Sequence, residues 1–417
     1  MNRRNFLRTT GSLTAIATLS PALAFAKQPG NTHFDPLVIS SIRERIKPIS
    51  IKEYDLRKEA ARKLMAENKI DAIVMEGGIS LNYFTGASWG RSERLFCMIL
   101  PQKGDPFFIA PKFEEDRAKE QTGNAKVLTW NENESPYEII KQALQDNGLL
   151  TGTIAMEETT RYFIIENLQK TIPSIKIQPA VSVTAGCRSL KSEHEIELIQ
   201  IANGITAEVY KASVKLLKEG MTEREFAEIV SNLFSEFGVG GGALVLFGES
   251  SAYPHGLVKE TKLKQGDIVL IDGGCSVEGY ESDVTRTTVF GKPTDKMNAV
   301  WKIVSDAQKE ALKTAKPGVI AESVDAAARK TITDNGYGPG YAYFTHRLGH
   351  GIGMDGHEWY YLVGGNKYKL CSGNMFSNEP GIYIKGEFGI RIEDEMLITD
   401  SGARLLLPFQ KSLEELF

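Results

Sequence analysis

Two pairs of carboxylates stand at matched positions in stretches that read as β-hairpins, and their types and spacing are those of a metal site. In residues 271–286, Asp272 and Asp283 lie on either side of a turn-rich centre, Ser276, Glu278 and Gly279. With 269–273 and 281–289 as the arms, the aspartates are symmetric about the Val277–Glu278 bond and are expected to face each other across the strands. Directly opposed residues hold their Cβ atoms about 4.5–5.5 Å apart, and two carboxylates that close repel unless a cation lies between them. Residues 378–396 turn at Lys385-Gly386-Glu387 and place Glu379 and Glu393 symmetrically about Gly386, on one face. Between the two stretches lies His346-Arg347-Leu348-Gly349-His350-Gly351-Ile352-Gly353, whose glycines beside His350 leave room for close approach of backbone or ligand. Asp272, Asp283, His350, Glu379 and Glu393 together make four carboxylates and one imidazole. That donor set suits Mn²⁺, Fe²⁺, Co²⁺ or Zn²⁺ and disfavours metals that seek thiolates.

The strings IDGG, GYESDVTRT, HRLGHGIGMDGHE, NEPGIYI and GIRIED resemble the pita-bread metallopeptidases, the family of prolidase, aminopeptidase P and methionine aminopeptidase, and the likeness runs from about residue 51 to the end of the chain. The resemblance implies two divalent metal ions, with Mn²⁺ the first expectation and Zn²⁺, Co²⁺ or Fe²⁺ the others. By it, Asp283 and Glu393 bridge the ions, Asp272 completes one and His350 with Glu379 the other. Glu379 also takes the general base and acid role. His255, His346 and His357 match positions that contact substrate and the developing oxyanion. With His350 they are the histidines between Pro254 and Glu358; only His33 and His194 lie elsewhere. Arg391, two residues before Glu393, has two readings: a bidentate grip on a substrate carboxylate, or a partner of the metal carboxylates. The activity implied is that of an exopeptidase hydrolysing the Xaa-Pro bond of dipeptides or of peptide N-termini, with a homodimer as the assembly. Two alternatives belong to other classes, a metal-dependent lyase or amidase acting on a small zwitterion, and a non-catalytic binding module of the same shape. The complete ligand set speaks against the module, and the GHGIG and GIRIED strings, as in prolidases, speak against the lyase.

Such a site needs a scaffold, and 417 residues, 42% hydrophobic and 24% charged, suit a globular chain of two domains. Over residues 51–180, short apolar runs (72–75, 96–100, 107–110, 153–156) alternate with helical patterns (54–67, 113–122, 137–147, 160–171). That alternation predicts a small α/β domain, and its strings at 82–86 and 91–94 resemble the creatinase-type N-terminal domain. Residues 181–417 form the catalytic domain, expected from the resemblance to be an α+β pita-bread fold with pseudo-twofold symmetry. In it Ser192-Glu193-His194-Glu195 is a capping box opening a helix to about residue 218, and Thr222-Glu223-Arg224-Glu225 repeats the device. Two more helices are expected over 296–314 and 321–335, and His194 is read as a solvated face residue.

The first 26 residues begin with Arg3, Arg4 and Arg8, continue in a moderately apolar run and end in Ala24-Phe25-Ala26. This is the pattern of an export signal, and Arg3-Arg4 followed by Asn5-Phe6-Leu7 resembles the twin-arginine type, which implies a periplasmic or secreted protein and the export machinery as a partner. Residues 27–50 read as a polar, proline-containing tether or arm. The net charge of −4 gives no reason to expect nucleic acid as a partner. Cys97, Cys187, Cys275 and Cys371 are isolated, without CxxC spacing, and are read as small buried residues.

Overall fold

The run Ala-Ile-Val-Met-Glu at 72–76 is too apolar to leave either face in water, and it forms the fully buried strand β1 (Ala72–Glu76) inside a six-stranded sheet. The computed structural model describes residues 33–417, so the expected export signal lies outside the described residues. Around β1 stand β2 (Cys97–Pro101), β3 (Phe107–Pro111), β4 (Lys126–Trp130), β5 (Thr153–Met156) and β6 (Lys176–Pro179), in the order β4-β3-β2-β1-β5-β6. β1 pairs antiparallel with β2, and β2 with β3, while the remaining pairs are parallel. The edge strands β4 and β6 escaped the sequence pattern because they are half-exposed and carry no continuous apolar run. Alternate residues of β1 enter different cores: Ile73 and Met75 join the one shared with the second domain, whereas Ala72 and Val74 pack with Ile140, Leu144, Ile164 and Leu168.

Helices α1 (Pro36–Arg45), α2 (Ile51–Glu67), α3 (Ile79–Thr85), α4 (Glu115–Thr122), α5 (Pro136–Asp146) and α6 (Tyr162–Thr171) complete this half. Of the stretch 27–50, read as a tether or arm, the structure describes residues 33–50, and α1 lies within them. Asp35 caps it, Ile39 is buried, Arg43 donates to the Phe237 carbonyl at 2.9 Å, and Phe34 lies 4.6 Å from the Phe237 ring. A polar helix with one apolar contact row gives little sequence signal, yet it is docked.

The second domain comprises α7 (Val181–Arg188), α8 (Glu193–Ser213), α9 (Glu223–Glu236), β7 (Gly240–Phe247), β8 (Ile268–Val277), β9 (Tyr280–Glu281), β10 (Val284–Val289), α10 (Asp295–Thr314) and α11 (Ala321–Asp334). It continues with β11 (Gly349–Gly351), β12 (Glu358–Leu362), β13 (Met375–Asn378), β14 (Gly381–Ile384), β15 (Phe388–Arg391), β16 (Asp394–Ile398) and β17 (Ala403–Leu405). Both capping boxes form, Ser192 with Glu195 and Thr222 with Glu225, each contributing about 1 kcal/mol. α8 stops at Ser213, short of the expected 218, because Val214–Leu216 tightens into a 3₁₀ turn. His194 is not simply solvated: its Nδ1 lies 2.6 Å from Glu53 Oε1, tying α8 to the start of α2. Two antiparallel sheets, β10-β8-β7 and β12-β11-β13-β16-β17, together with the ribbon β14-β15, carry the candidate ligands. Cys97, Cys187 and Cys275 are buried, whereas Cys371 is exposed and departs from the reading of all four as buried.

Candidate metal centre

The first hairpin turns on only two residues, Glu278 and Gly279, both with positive φ (50° and 83°), as a type I′ turn requires. This tight turn sets Ser276 opposite Glu281, Gly273 opposite Val284 and Asp272 opposite Thr285. Asp272 and Asp283 are therefore not directly opposed as the sequence suggested but staggered by two residues. Because side chains alternate with period two, Asp283 still shares the face of Thr285 and of Asp272 across the ladder. The Thr285 hydroxyl fills the opposed place, 2.6 Å from both Asp272 Oδ1 and Glu393 Oε2. The backbone N–H of Asp283 leaves the ladder for Glu395 Oε1 at 2.7 Å.

The second hairpin keeps the anticipated register. Gly381 pairs with Arg391 and Asn378 with Asp394, so Glu379 and Glu393 sit across from each other between these two ladders. Pro380 has no N–H to give, and the ladder parts there. The freed N–H of Glu379 donates to the Leu348 carbonyl at 2.9 Å, and that of Glu393 to the Thr285 carbonyl at 3.1 Å. The break thus ties one glutamate to the histidine loop and the other to the first hairpin. Arg286, fully buried, reinforces that second tie by donating to Asp394 Oδ1 at 2.6 Å and to the Glu393 carbonyl at 2.7 Å.

His350 lies on β11, pressed against its neighbours. A Cβ on Gly349 would stand 2.0 Å from the Ser377 carbonyl oxygen, and one on Gly351 2.5 Å from that of Trp359, so both flanking positions require glycine. The Nδ1 of His350 is 3.0 Å from the Gly351 carbonyl, which assigns its proton there and leaves Nε2 free as a ligand atom. Nε2 is 3.4 Å from Glu379 Oε1 and 3.7 Å from Asp283 Oδ2. Donor atoms of Asp272, Asp283 and Glu393, and likewise of His350, Glu379 and Glu393, fall within 4.8 Å of one another. His357 completes a third such group with Asp283 and His350, its ring stacked on that of His350 at 3.7 Å.

The electrostatics test whether this cradle fits divalent ions. Burial, with the neighbouring carboxylates, drives Asp283 and Glu393 well above the ordinary range, and burial pushes Glu379 up to about 8. Burial works to raise Asp272 as well, but the Arg391 guanidinium and the Thr285 hydroxyl hold it below the usual value. Four carboxylates face each other with one cationic partner on one of them, so divalent positive charge completes the site. The residues present fit such ions.

Of the two readings of Arg391, the geometry takes the second. Its Nη2 lies 2.6 Å from Asp272 Oδ2, Nη1 donates to the Tyr383 hydroxyl at 2.7 Å and the Pro254 carbonyl at 3.2 Å, and Nε to Thr285 Oγ1 at 3.2 Å. A guanidinium so engaged has no fork left for a substrate carboxylate. His346 is also engaged: Nδ1 lies 2.8 Å from the Arg347 carbonyl and Nε2 2.7 Å from the Tyr383 hydroxyl, and burial pushes its pKa down to about 3. It is a neutral wall of the cavity. His255 is exposed at the rim, and neither it nor His357 has a hydrogen-bond partner among the described residues. The sequence reading missed Thr285, Tyr383 and Glu395. Thr285 and Tyr383 lie within the quoted strings and Glu395 one residue past GIRIED, but their partners lie elsewhere in the fold.

These donors and histidines surround one cavity of about 160 Å³. Comparison with known proteins gives a consistent picture. The family model for metallopeptidase family M24 matches residues 197–400, and that for the creatinase/prolidase N-terminal domain matches residues 57–190. An uncharacterized peptidase of Schizosaccharomyces pombe is 37% identical over 395 residues, covering 89% of this chain and 84% of its own. The Xaa-Pro dipeptidase of Pyrococcus furiosus is 34% identical, covering 86% of this chain and 99% of its own. Among solved structures, the prolidase from Thermococcus sibiricus superposes with a TM-score of 0.78 at 32% identity, over 85% of this chain and 97% of that one.

Proposed function

The chain belongs to metallopeptidase family M24, and from that membership we propose that it is an exopeptidase hydrolysing the bond before proline in Xaa-Pro dipeptides or at peptide N-termini. One observation carries the reading: Asp272, Asp283, His350, Glu379 and Glu393 converge with His255 and His357 on one small cavity, in a chain whose Pyrococcus furiosus relative is an Xaa-Pro dipeptidase. Those five residues would hold two divalent ions, with Mn²⁺ proposed as the native metal. Bound there, such ions lower the pKa of a water and polarise the scissile carbonyl.

The chain's own groups do the rest. Glu379 reaches the cavity with its Oε1 held by Ser377 Oγ at 3.2 Å. It takes the proton of the attacking water and returns it to the proline nitrogen. That nitrogen carries no proton in the peptide, so it departs as an amine only after protonation. His255 and His357, with no hydrogen-bond partners among the described residues, present ring N–H groups to the carbonyl oxygen as charge develops on it. His346, fixed between Tyr383 and the Arg347 carbonyl, shapes the wall and keeps water out.

Export by the twin-arginine route to the periplasm or beyond is part of the proposal, supported by Arg3-Arg4 and Ala24-Phe25-Ala26. A homodimer accords with Leu56 and Leu190, exposed on a shared groove. The experiment for the activity is turnover of Ala-Pro, Ala-Pro-Ala and Ala-Ala by metal-depleted protein after Mn²⁺, Zn²⁺ or Co²⁺ is added. The proline substrates are expected to be cleaved best with Mn²⁺ and Ala-Ala poorly; equal cleavage of Ala-Ala removes the proline specificity.

A further inference from the structure

We propose that Arg347 receives the C-terminal carboxylate of a dipeptide substrate, which makes this cavity a dipeptidase site rather than one for longer peptides. The proposal rests on the Xaa-Pro reading above. Among the side chains lining the metal cavity two bear a fixed positive charge, Arg347 and Arg391. Arg391 is spent on Asp272, Tyr383, Pro254 and Thr285. Arg347, in contrast, has no side-chain hydrogen bond or ion pair with any described residue, although it is half-buried.

What holds Arg347 is a ring. Its Cζ lies 4.2 Å from the centroid of Tyr361, a stacking that fixes the plane of the guanidinium without consuming its N–H donors. A planar fork presented in this way matches a carboxylate bidentately. The surroundings make the match selective. Divalent ions and Arg391 offset the charge of Asp272, Asp283, Glu379 and Glu393, so within the cavity Arg347 is the cation whose donors are left for a substrate carboxylate. In a dipeptide the free carboxylate is attached to the same ring as the scissile nitrogen, so it must lie within the cavity itself. A longer peptide puts a neutral amide in that place and leaves the Arg347 donors without a charged partner.

The test compares kcat/KM for Ala-Pro, Ala-Pro-amide and Ala-Pro-Ala in the metal-loaded wild type and in Arg347→Gln, Arg347→Lys and Arg391→Lys, with bound metal measured in each. Loss of a charge-assisted hydrogen-bonded pair is expected to cost Arg347→Gln about 10- to 100-fold on Ala-Pro. The loss should sit mainly in KM and be much smaller on the amide, so that the preference for the free acid collapses. Arg347→Lys should recover part of it, because charge returns without the planar fork. Arg391→Lys should instead lower acid and amide alike and reduce bound metal. Retention of the wild-type acid-to-amide ratio in both Arg347 variants overturns the assignment, and so does a wild-type preference for Ala-Pro-Ala. If wild type cleaves Ala-Ala as well as Ala-Pro, the Xaa-Pro reading falls by itself, and the acid-to-amide ratio in the Arg347 variants still decides the subsite, because Ala-Ala bears the same carboxylate.

Discussion

The two hairpins deliver their carboxylates by different means. In the first, a two-residue turn staggers Asp272 and Asp283 by two positions and puts the Thr285 hydroxyl in the gap. In the second, Glu379 and Glu393 are opposed, at a place where Pro380 parts the ladder and each backbone N–H is given to a different neighbour. The difference shows that parity, not direct opposition, is what gathers ligands on a sheet. A slip of two keeps every side chain on its face, whereas a slip of one would send Asp283 to the far side. The staggered pair needs a third group between its members, and the opposed pair needs a broken ladder around it.

The largest effect should come from removing a carboxylate of the staggered pair. Asp283→Ala is expected to lose both bound divalent ions and with them activity, since it reaches the donor atoms of His350 and of Asp272 with Glu393 alike. Elemental analysis finding full occupancy would refute its bridging place. In the opposed pair, Glu379→Gln keeps shape but loses the proton acceptor, and kcat should fall about 10²- to 10⁴-fold; near wild-type turnover would remove Glu379 from the chemistry. Smaller is the effect of the group between the staggered carboxylates. Thr285→Val should weaken metal binding about 10- to 100-fold, as other supporting groups around metal ligands do, while Thr285→Ser restores it. An unaltered metal affinity in the valine variant would show that the stagger needs no filler. Smallest is the turn itself: Gly279→Ala, at φ 83°, should cost about 1–2 kcal/mol in urea unfolding without abolishing metal binding.

Much of this centre is legible in the sequence because parity and turn position are local properties. Glu379 and Glu393 could be placed opposite each other by counting from Gly386, and His350 could be singled out by its glycines. Counting misjudged the first hairpin because Glu278 accepts a left-handed conformation that its residue type does not announce. The strands β4 and β6 and the docked helix α1 were lost for a related reason, since half-exposed elements carry weak patterns.

What the sequence by itself determined is the set of candidate ligands and the face they share, for these follow from residue type and alternation along single strands. Which groups serve those ligands was decided only by the tertiary structure. Arg391 finds Asp272 across 119 residues of chain, Thr285 finds Glu393 across 108, and Glu395 finds the Asp283 backbone across 112. Closure of β10 against β15 and β16 brings these partners together, and no periodicity within a strand encodes which strand will lie beside it. The same closure engages Arg391, while Arg347 has no hydrogen-bonding or ion-pair partner for its side chain among the described residues.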